Sequence, residues 1–151
     1  MKIKIKNIED GVHEFNFSES PENLGLDNPF SGNVDINCKM DKSLGQFILD
    51  CNLSVHAEFE CDRCSKEFES KLDKNFKLYY FFDKENIDES DSNMFYLAPE
   101  TDYIDISDEV RDYALLSIPM KVICDENCKG LCAGCGVDLN IERCKCEPNQ
   151  V

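Results

Sequence analysis

The stretch Phe47-Ile48-Leu49-Asp50-Cys51-Asn52-Leu53-Ser54-Val55-His56-Ala57-Glu58-Phe59 decides the fold. Its odd positions are apolar, and its even positions are polar except Ile48. Successive side chains of a strand point to opposite faces, so this pattern predicts a long strand with one buried face. Val34, Ile36, Cys38 and Met40 alternate before it, separated by a turn at Ser43-Leu44-Gly45. Phe68, Leu72, Phe76, Leu78 and Tyr80 alternate after it. Three antiparallel strands in a meander follow, and shorter strands over Lys2–Asn7 and Val12–Phe17 are expected to pair with them.

Further along, the segment from Asp83 to Asp112 is strongly acidic, with Lys84 and Arg111 its only basic residues. Its first part, Lys84 to Asn93, has no periodicity and reads as a solvated loop. Tyr103–Ile106 reads as a short strand leading into a helix. Ser107 is the expected N-cap, Asp108 and Glu109 complement the positive helix end, and Pro119 closes the element. Val110, Tyr113, Ala114, Ser117 and Ile118 form one stripe at helical spacing, expected to pack on the sheet.

After Lys121 the composition changes to cysteine and glycine, with few large apolar residues, and such a segment needs a staple in place of a core. The expected architecture is therefore an α+β fold, mainly antiparallel sheet with one short helix. Residues 1–123 form its body, and residues 124–151 form a cysteine-rich zinc knuckle packed on the same domain.

The staple is legible in the cysteines. Cys61-Asp62-Arg63-Cys64 stands at the tip between two strands; Cys124, Cys128, Cys132, Cys135, Cys144 and Cys146 follow after the helix. A C-x-x-C step brings two thiolates to one metal ion, and zinc takes four in a tetrahedron. Gly136, directly after the second C-x-x-C, can adopt positive φ and turn N–H groups toward sulfur. Eight ligands suffice for two zinc ions. Cys132, Cys135, Cys144 and Cys146 can close a local knuckle, leaving Cys61 and Cys64 to join Cys124 and Cys128 as a clip across the domain. The competing arrangement joins Cys61 and Cys64 to Cys132 and Cys135. An iron–sulfur cluster would use similar ligands. A thioredoxin-like pair would need a helix N-terminus, which the hairpin tip does not supply. Cys38 and Cys51 fall on apolar strand faces and read as free, small core residues.

Charge and composition bound the function. The chain has 151 residues, 42% of them apolar, and 31 acidic against 16 basic residues give a net charge of −15. That sign opposes a phosphate backbone and favours a basic protein partner. The N-terminal Met1-Lys2-Ile3-Lys4-Ile5-Lys6 alternates and lacks the apolar core of a signal peptide. No apolar run approaches the roughly 20 residues that span a bilayer. A cytoplasmic protein is expected, in which clustered cysteines point to metal before disulfides. His13 and His56 lie on strands with no acid beside them in a recognisable pattern. There is no phosphate loop and no nucleophile elbow, so neither an enzyme nor a small-molecule substrate is expected.

Cys61-Asp62-Arg63-Cys64, Pro119 and the run from Cys124 to Cys146, above all Cys128-Lys129-Gly130-Leu131-Cys132 and Leu139-Asn140, resemble the YceD family, also called domain-of-unknown-function family 177. The resemblance implies a bacterial or organellar protein needed for accumulation of the large-subunit ribosomal RNA. The resemblance points to a ribosome-biogenesis factor, and the net charge of −15 is reconciled with that role if the acidic body binds a basic ribosomal protein or assembly factor, with RNA contacted indirectly. Arg63, Lys66, Lys71 and Lys74 are candidates for a small RNA-facing patch, weighed against scattered solvated charges. The alternatives from the residues alone are a zinc-binding protein-interaction module and a thiol-redox or zinc-handling protein.

Overall fold

The computed structural model describes residues 1–43, 45–88 and 90–146. The expected turn residue Leu44 and the last five residues of the 124–151 segment lie outside them. Among the described residues, strands β1 (Lys2–Lys4), β2 (Gly11–Glu19), β3 (Phe30–Ser43), β4 (Gln46–Glu60), β5 (Glu67–Phe81), β6 (Met94–Tyr96) and β7 (Tyr103–Asp105) precede one α-helix, α1 (Ser107–Leu116). Short 3-10 turns occupy Pro21–Leu24 and Lys84–Asn86.

A five-stranded sheet in the order β2-β3-β4-β5-β6 forms the body, antiparallel except for the parallel β5–β6 edge. β4 is its axis. Phe47, Leu49, Cys51, Leu53, Val55 and Ala57 are buried, while Asp50, Asn52, His56 and Glu58 face solvent. The same alternation buries Val34, Ile36, Cys38 and Met40 on β3, and Leu72, Phe76, Leu78 and Tyr80 on β5. Burying one face drives the sheet together, because apolar area removed from water is the main favourable term in folding.

Helix α1 covers this face against β4 and β5. Val110 and Ala114 are buried, and Tyr113 stacks on Phe76 at 4.2 Å between ring centroids. Tyr113, Ser117 and Ile118 are half-buried, so the stripe packs as its spacing requires.

Four expectations change. The strand at Lys2 does not extend the meander; β1 pairs with β7 as a separate two-stranded sheet that contributes Ile3 and Ile104 to the core. Ser107 is not the cap but the first helical residue, preceded by Ile106, which makes no side-chain cap bond. The capping carboxylate is Asp105, whose Oδ1 accepts from the Ser107 backbone N–H at 3.1 Å and from its hydroxyl at 2.6 Å. β6 was not expected at all: three residues are too few to show a period, and it is held by pairing with β5 and by stacking of Phe95 on Tyr80. Finally, Cys38 and Cys51 are buried as expected but are not free. They face each other in the β3–β4 register, with Cα atoms 4.1 Å apart, and form a disulfide.

Glu109 lies on the first turn of α1, half-buried, with its Oε2 buried and unpaired. Burial, and then the neighbouring Asp108, Asp105 and Asp112, push its carboxyl above the ordinary value of 4.5. A carboxyl raised in the folded state is ionised more readily in the unfolded chain. It therefore costs nothing at pH below the unfolded value and destabilises increasingly as pH rises through the folded one. Glu109→Gln is expected to raise the denaturation midpoint at neutral pH, with the gain vanishing at pH values below about 4. Denaturant melts at several pH values check this, and a gain that persists in acid would contradict it.

Candidate metal centres

The β4–β5 hairpin does not close by a two-residue turn. After Glu60 the chain runs through Cys61-Asp62-Arg63-Cys64-Ser65-Lys66, closed by Cys61 N–H donating to Lys66 O and Ser65 N–H to Cys61 O, both at 2.9 Å. Ser65 sits at φ +56, which lets the tip double back and turn both thiols to one side. Asp62 fastens the tip to the segment after α1: its N–H donates to Val122 O at 2.8 Å, and its carboxylate accepts from Val122 N–H at 2.7 Å.

That fastening brings Cys124 and Cys128 over the tip. Cys61 and Cys128 sulfurs are 3.8 Å apart, and those of Cys64 and Cys124 are 3.6 Å apart. All four lie within 4.8 Å of one another. A tetrahedron with metal–sulfur bonds of about 2.3 Å has sulfur–sulfur edges of about 3.8 Å, so the cluster has the dimensions of a four-thiolate metal site. Cys61, Cys64 and Cys128 are buried and Cys124 is half-buried, with Phe68 and Ile123 packed around them.

A second group joins Cys132, Cys135, Cys144 and Cys146. Its sulfurs approach at 3.2 Å (Cys132–Cys144), 3.8 Å (Cys132–Cys146) and 3.9 Å (Cys135–Cys144). Here the backbone supplies the frame. Cys132 N–H donates to Val137 O and Gly136 N–H to Cys132 O, both at 2.8 Å, with Gly136 at φ +72. Gly134 has a stricter reason: a Cβ there would stand 2.8 Å from Cys146 Sγ. Cys132 is half-buried and the other three are exposed. The structure thus brings Cys61 and Cys64 to Cys124 and Cys128, not to Cys132 and Cys135.

The electrostatics of the two groups are alike. At Cys61 burial pushes the thiol up, but N–H groups of Cys124, Arg63 and Cys64 outweigh it and bring it down to about 6. Cys132 also falls to about 6, chiefly through the Cys135 backbone, then the Cys144 thiol and the Gly134 backbone. Cys124 is pushed up to about 12, by burial and then by the Cys64, Cys61 and Cys128 sulfurs. Cys146 reaches about 12 through its Cys144, Cys135 and Cys132 neighbours. Four crowded thiols resist full ionisation alone, and a divalent cation removes that resistance while expelling protons. Two four-cysteine groups of these dimensions could hold metal ions. All-thiolate tetrahedra have no open position for water or substrate.

Other candidate residues go elsewhere. Arg63 is exposed, and its Nη1 donates to Cys128 O at 2.8 Å. Lys71 pairs with Asp73 at 3.5 Å. His56 does have an acidic neighbour after all, since its Nδ1 lies 2.7 Å from Glu69 Oε1 across the β4–β5 ladder. Sequence order hid that contact, which depends on strand register. Beside the tip, an open cleft of about 570 Å³ is lined by Asn28, Pro29, Phe59, Phe68 and four glutamates. Glu58 stands opposite Glu69 and Glu60 opposite Glu67 in the ladder. Like charges so placed repel.

The fold and sites describe a small, acidic, sheet-based protein carrying two closed four-cysteine centres, one clipping the sheet to its C-terminal segment. The chain belongs to the family described as "Large ribosomal RNA subunit accumulation protein YceD", which matches residues 49–151. Two plant proteins named "Large ribosomal RNA subunit accumulation protein YCED homolog 1, chloroplastic" are similar to part of it. The Arabidopsis thaliana protein is 45% identical over 51 residues, covering 34% of this chain and 16% of its own length. The Zea mays protein is 47% identical over 49 residues, covering 32% of this chain and 17% of its own. The similarity thus spans about a sixth of the relatives. No solved structure matches.

Proposed function

We propose that this chain is a non-enzymatic ribosome-biogenesis factor that supports accumulation of large-subunit ribosomal RNA, folded around two structural zinc ions. Cys61, Cys64, Cys124 and Cys128 hold one ion, and Cys132, Cys135, Cys144 and Cys146 hold the other. The observation that carries this reading is the family match, which takes in the hairpin tip and every one of these cysteines. Zinc suits the donors: four thiolates in a tetrahedron are its preferred structural set, and the sulfur spacings fit its bond length.

With a net charge of −15 and glutamates lining the cleft beside the tip, the body is suited to a basic ribosomal protein or assembly factor. On this reading RNA is contacted through that partner, in the cytoplasm, and there is no small-molecule substrate. Among the described residues no helix is long and apolar enough to cross a membrane. Affinity purification with and without ribonuclease tests the partner. A basic protein should be retained after digestion, and loss of every partner with the RNA would contradict a protein-first contact. Large-subunit RNA in cells lacking the chain tests the role; a normal level would remove it.

One observation favours a second reading, thiol-redox or zinc handling. Cys135, Cys144 and Cys146 are exposed, with Cys132 half-buried among them, so these thiols are within reach of an oxidant or an alkylating reagent. Rapid alkylation of the metal-loaded protein would support that reading, and protection would support the structural one.

A further inference from the structure

Asn140 stands in the loop between two cysteines of the knuckle, Cys135 and Cys144, yet its side chain reaches the other group. Its Nδ2 is 3.4 Å from Cys128 Sγ, while its Oδ1 accepts from Lys129 N–H at 2.8 Å. The loop holds it there. Asn140 N–H and Nδ2 both donate to Asp138 Oδ1, at 2.8 and 2.7 Å, and Leu139 N–H donates to Gly130 O at 2.9 Å. Residues 128–131 are also gripped by the hairpin tip. Arg63 Nη1 donates to Cys128 O at 2.8 Å, and Leu131 N–H donates to Arg63 O at 2.9 Å. Cys128 and Cys132 belong to different centres, yet only Lys129, Gly130 and Leu131 separate them.

We infer that Asn140 is a positioning residue that couples the two metal centres: a metal ion closing the knuckle holds its amide against the Cys128 sulfur, and the clip then binds its own ion more tightly. This rests on the reading of both groups as metal centres. The chemical reason is charge. A divalent ion with four thiolates carries a net charge of −2, and an N–H donor to one sulfur disperses it. Groups that hydrogen-bond to a metal ligand contribute about 10- to 100-fold in metal affinity. Without an ion in the knuckle, residues 138–140 are held over residues 128–131 by the bonds from Leu139 N–H to Gly130 O and from Lys129 N–H to Asn140 Oδ1, and the ion adds the closure of residues 132–146 around them. Linkage makes the effect reciprocal, so an ion in the clip must tighten the knuckle by the same factor.

The substitution Asn140→Asp tests this role. Aspartate keeps the oxygen that accepts from Lys129 N–H, removes the Nδ2 donor to both Cys128 Sγ and Asp138 Oδ1, and adds a negative charge beside the thiolates. The sulfur-to-cobalt band of the clip, which reports on the sulfur itself, is therefore the deciding readout. The test is titration of the full chain with Co²⁺, then with Zn²⁺ against a chelator, following the sulfur-to-cobalt charge-transfer band. In wild type, two equivalents should bind. Asn140→Asp should weaken the clip about tenfold and shift its band. The double change Cys135→Ser with Cys146→Ser, which opens the knuckle, should weaken the clip by a similar factor. Adding Asn140→Asp to it should change little more. Clip affinity and band unchanged in Asn140→Asp would overturn the inference, as would full multiplication of the two effects. Should Asn140→Asp fail to fold, the knuckle variant decides alone, since a clip of wild-type affinity beside an open knuckle contradicts coupling. A wild-type chain that takes up no metal removes the parent reading too, and is recognised before any variant is made.

Discussion

Replacing Cys61 by serine is expected to release one of the two zinc ions proposed above and to destabilise the whole sheet by about 4 kcal/mol. The estimate comes from chain entropy. The clip joins residues 60 positions apart, as Cys64 and Cys124 show. A cross-link closing a loop of about 60 residues restricts the unfolded chain by about 4 kcal/mol at room temperature. For a chain of this size that corresponds to a fall in melting temperature of about 10 °C. The change also leaves two buried thiols, Cys64 and Cys128, and the half-buried Cys124 without their common cation. Cys144→Ser makes the informative contrast. It too should release one ion, but it opens a loop of only 12 residues between Cys132 and Cys144, in a group that is mostly exposed. The knuckle then frays locally, and the cooperative unfolding of the sheet moves by only a few degrees. Calorimetry with metal analysis checks both, and equal losses of stability in the two variants would contradict the division into clip and knuckle.

The second large effect is expected at Gly130, where the two centres meet. Its φ is +75, and a Cβ there would lie 2.9 Å from Arg63 O and 3.3 Å from Arg63 Cβ. Left-handed backbone costs alanine about 1–2 kcal/mol. The contact with a backbone oxygen cannot be relieved by rotating a side chain. It requires residues 129–131, the strap between the two centres, to move away from the tip, stretching the bond from Leu131 N–H to Arg63 O, worth about 1 kcal/mol. Gly130→Ala should therefore cost about 2–3 kcal/mol and weaken metal retention in the clip. Gly45→Ala is the control, because Gly45 has φ +84 but nothing within 4 Å of its would-be Cβ. It should cost about 1 kcal/mol and leave metal binding untouched. Denaturant unfolding separates the two, and equal costs would contradict a clash at the strap.

These residues also mark how far the sequence could be read. β3, β4 and β5 were legible because each is long and buried on one face, so a period of two shows through. The Cys61–Cys64 tip was legible because it interrupts that period between two such strands. β1 and β7 were legible as strands at Lys2–Asn7 and Tyr103–Ile106 but not as partners of one another, because packing pairs them from opposite ends of the fold's sequence, while β6 is three residues long and shows no period. The Cys38–Cys51 pair was missed for a related reason: each residue was placed on the correct face, but which residue stands opposite which depends on register.

At the centres, the spacing of cysteines announces metal chemistry, while the groups supporting the sulfurs leave little trace. Arg63 looks like a surface charge and is a clamp on Cys128 O. Asn140 looks like a turn residue and reaches a sulfur of the other group. Gly134 looks like loop filler and makes room for Cys146 Sγ. Each role exists only once two distant segments are laid together.

The central claim is that the eight cysteines outside the core pair form two separate metal centres. It is tested most directly by native mass spectrometry of the full chain, purified without added metal, with elemental analysis of the same sample. The account predicts two zinc ions per wild-type chain, and one in each of Cys61→Ser and Cys144→Ser. A single ion in the wild type, or none, would contradict it.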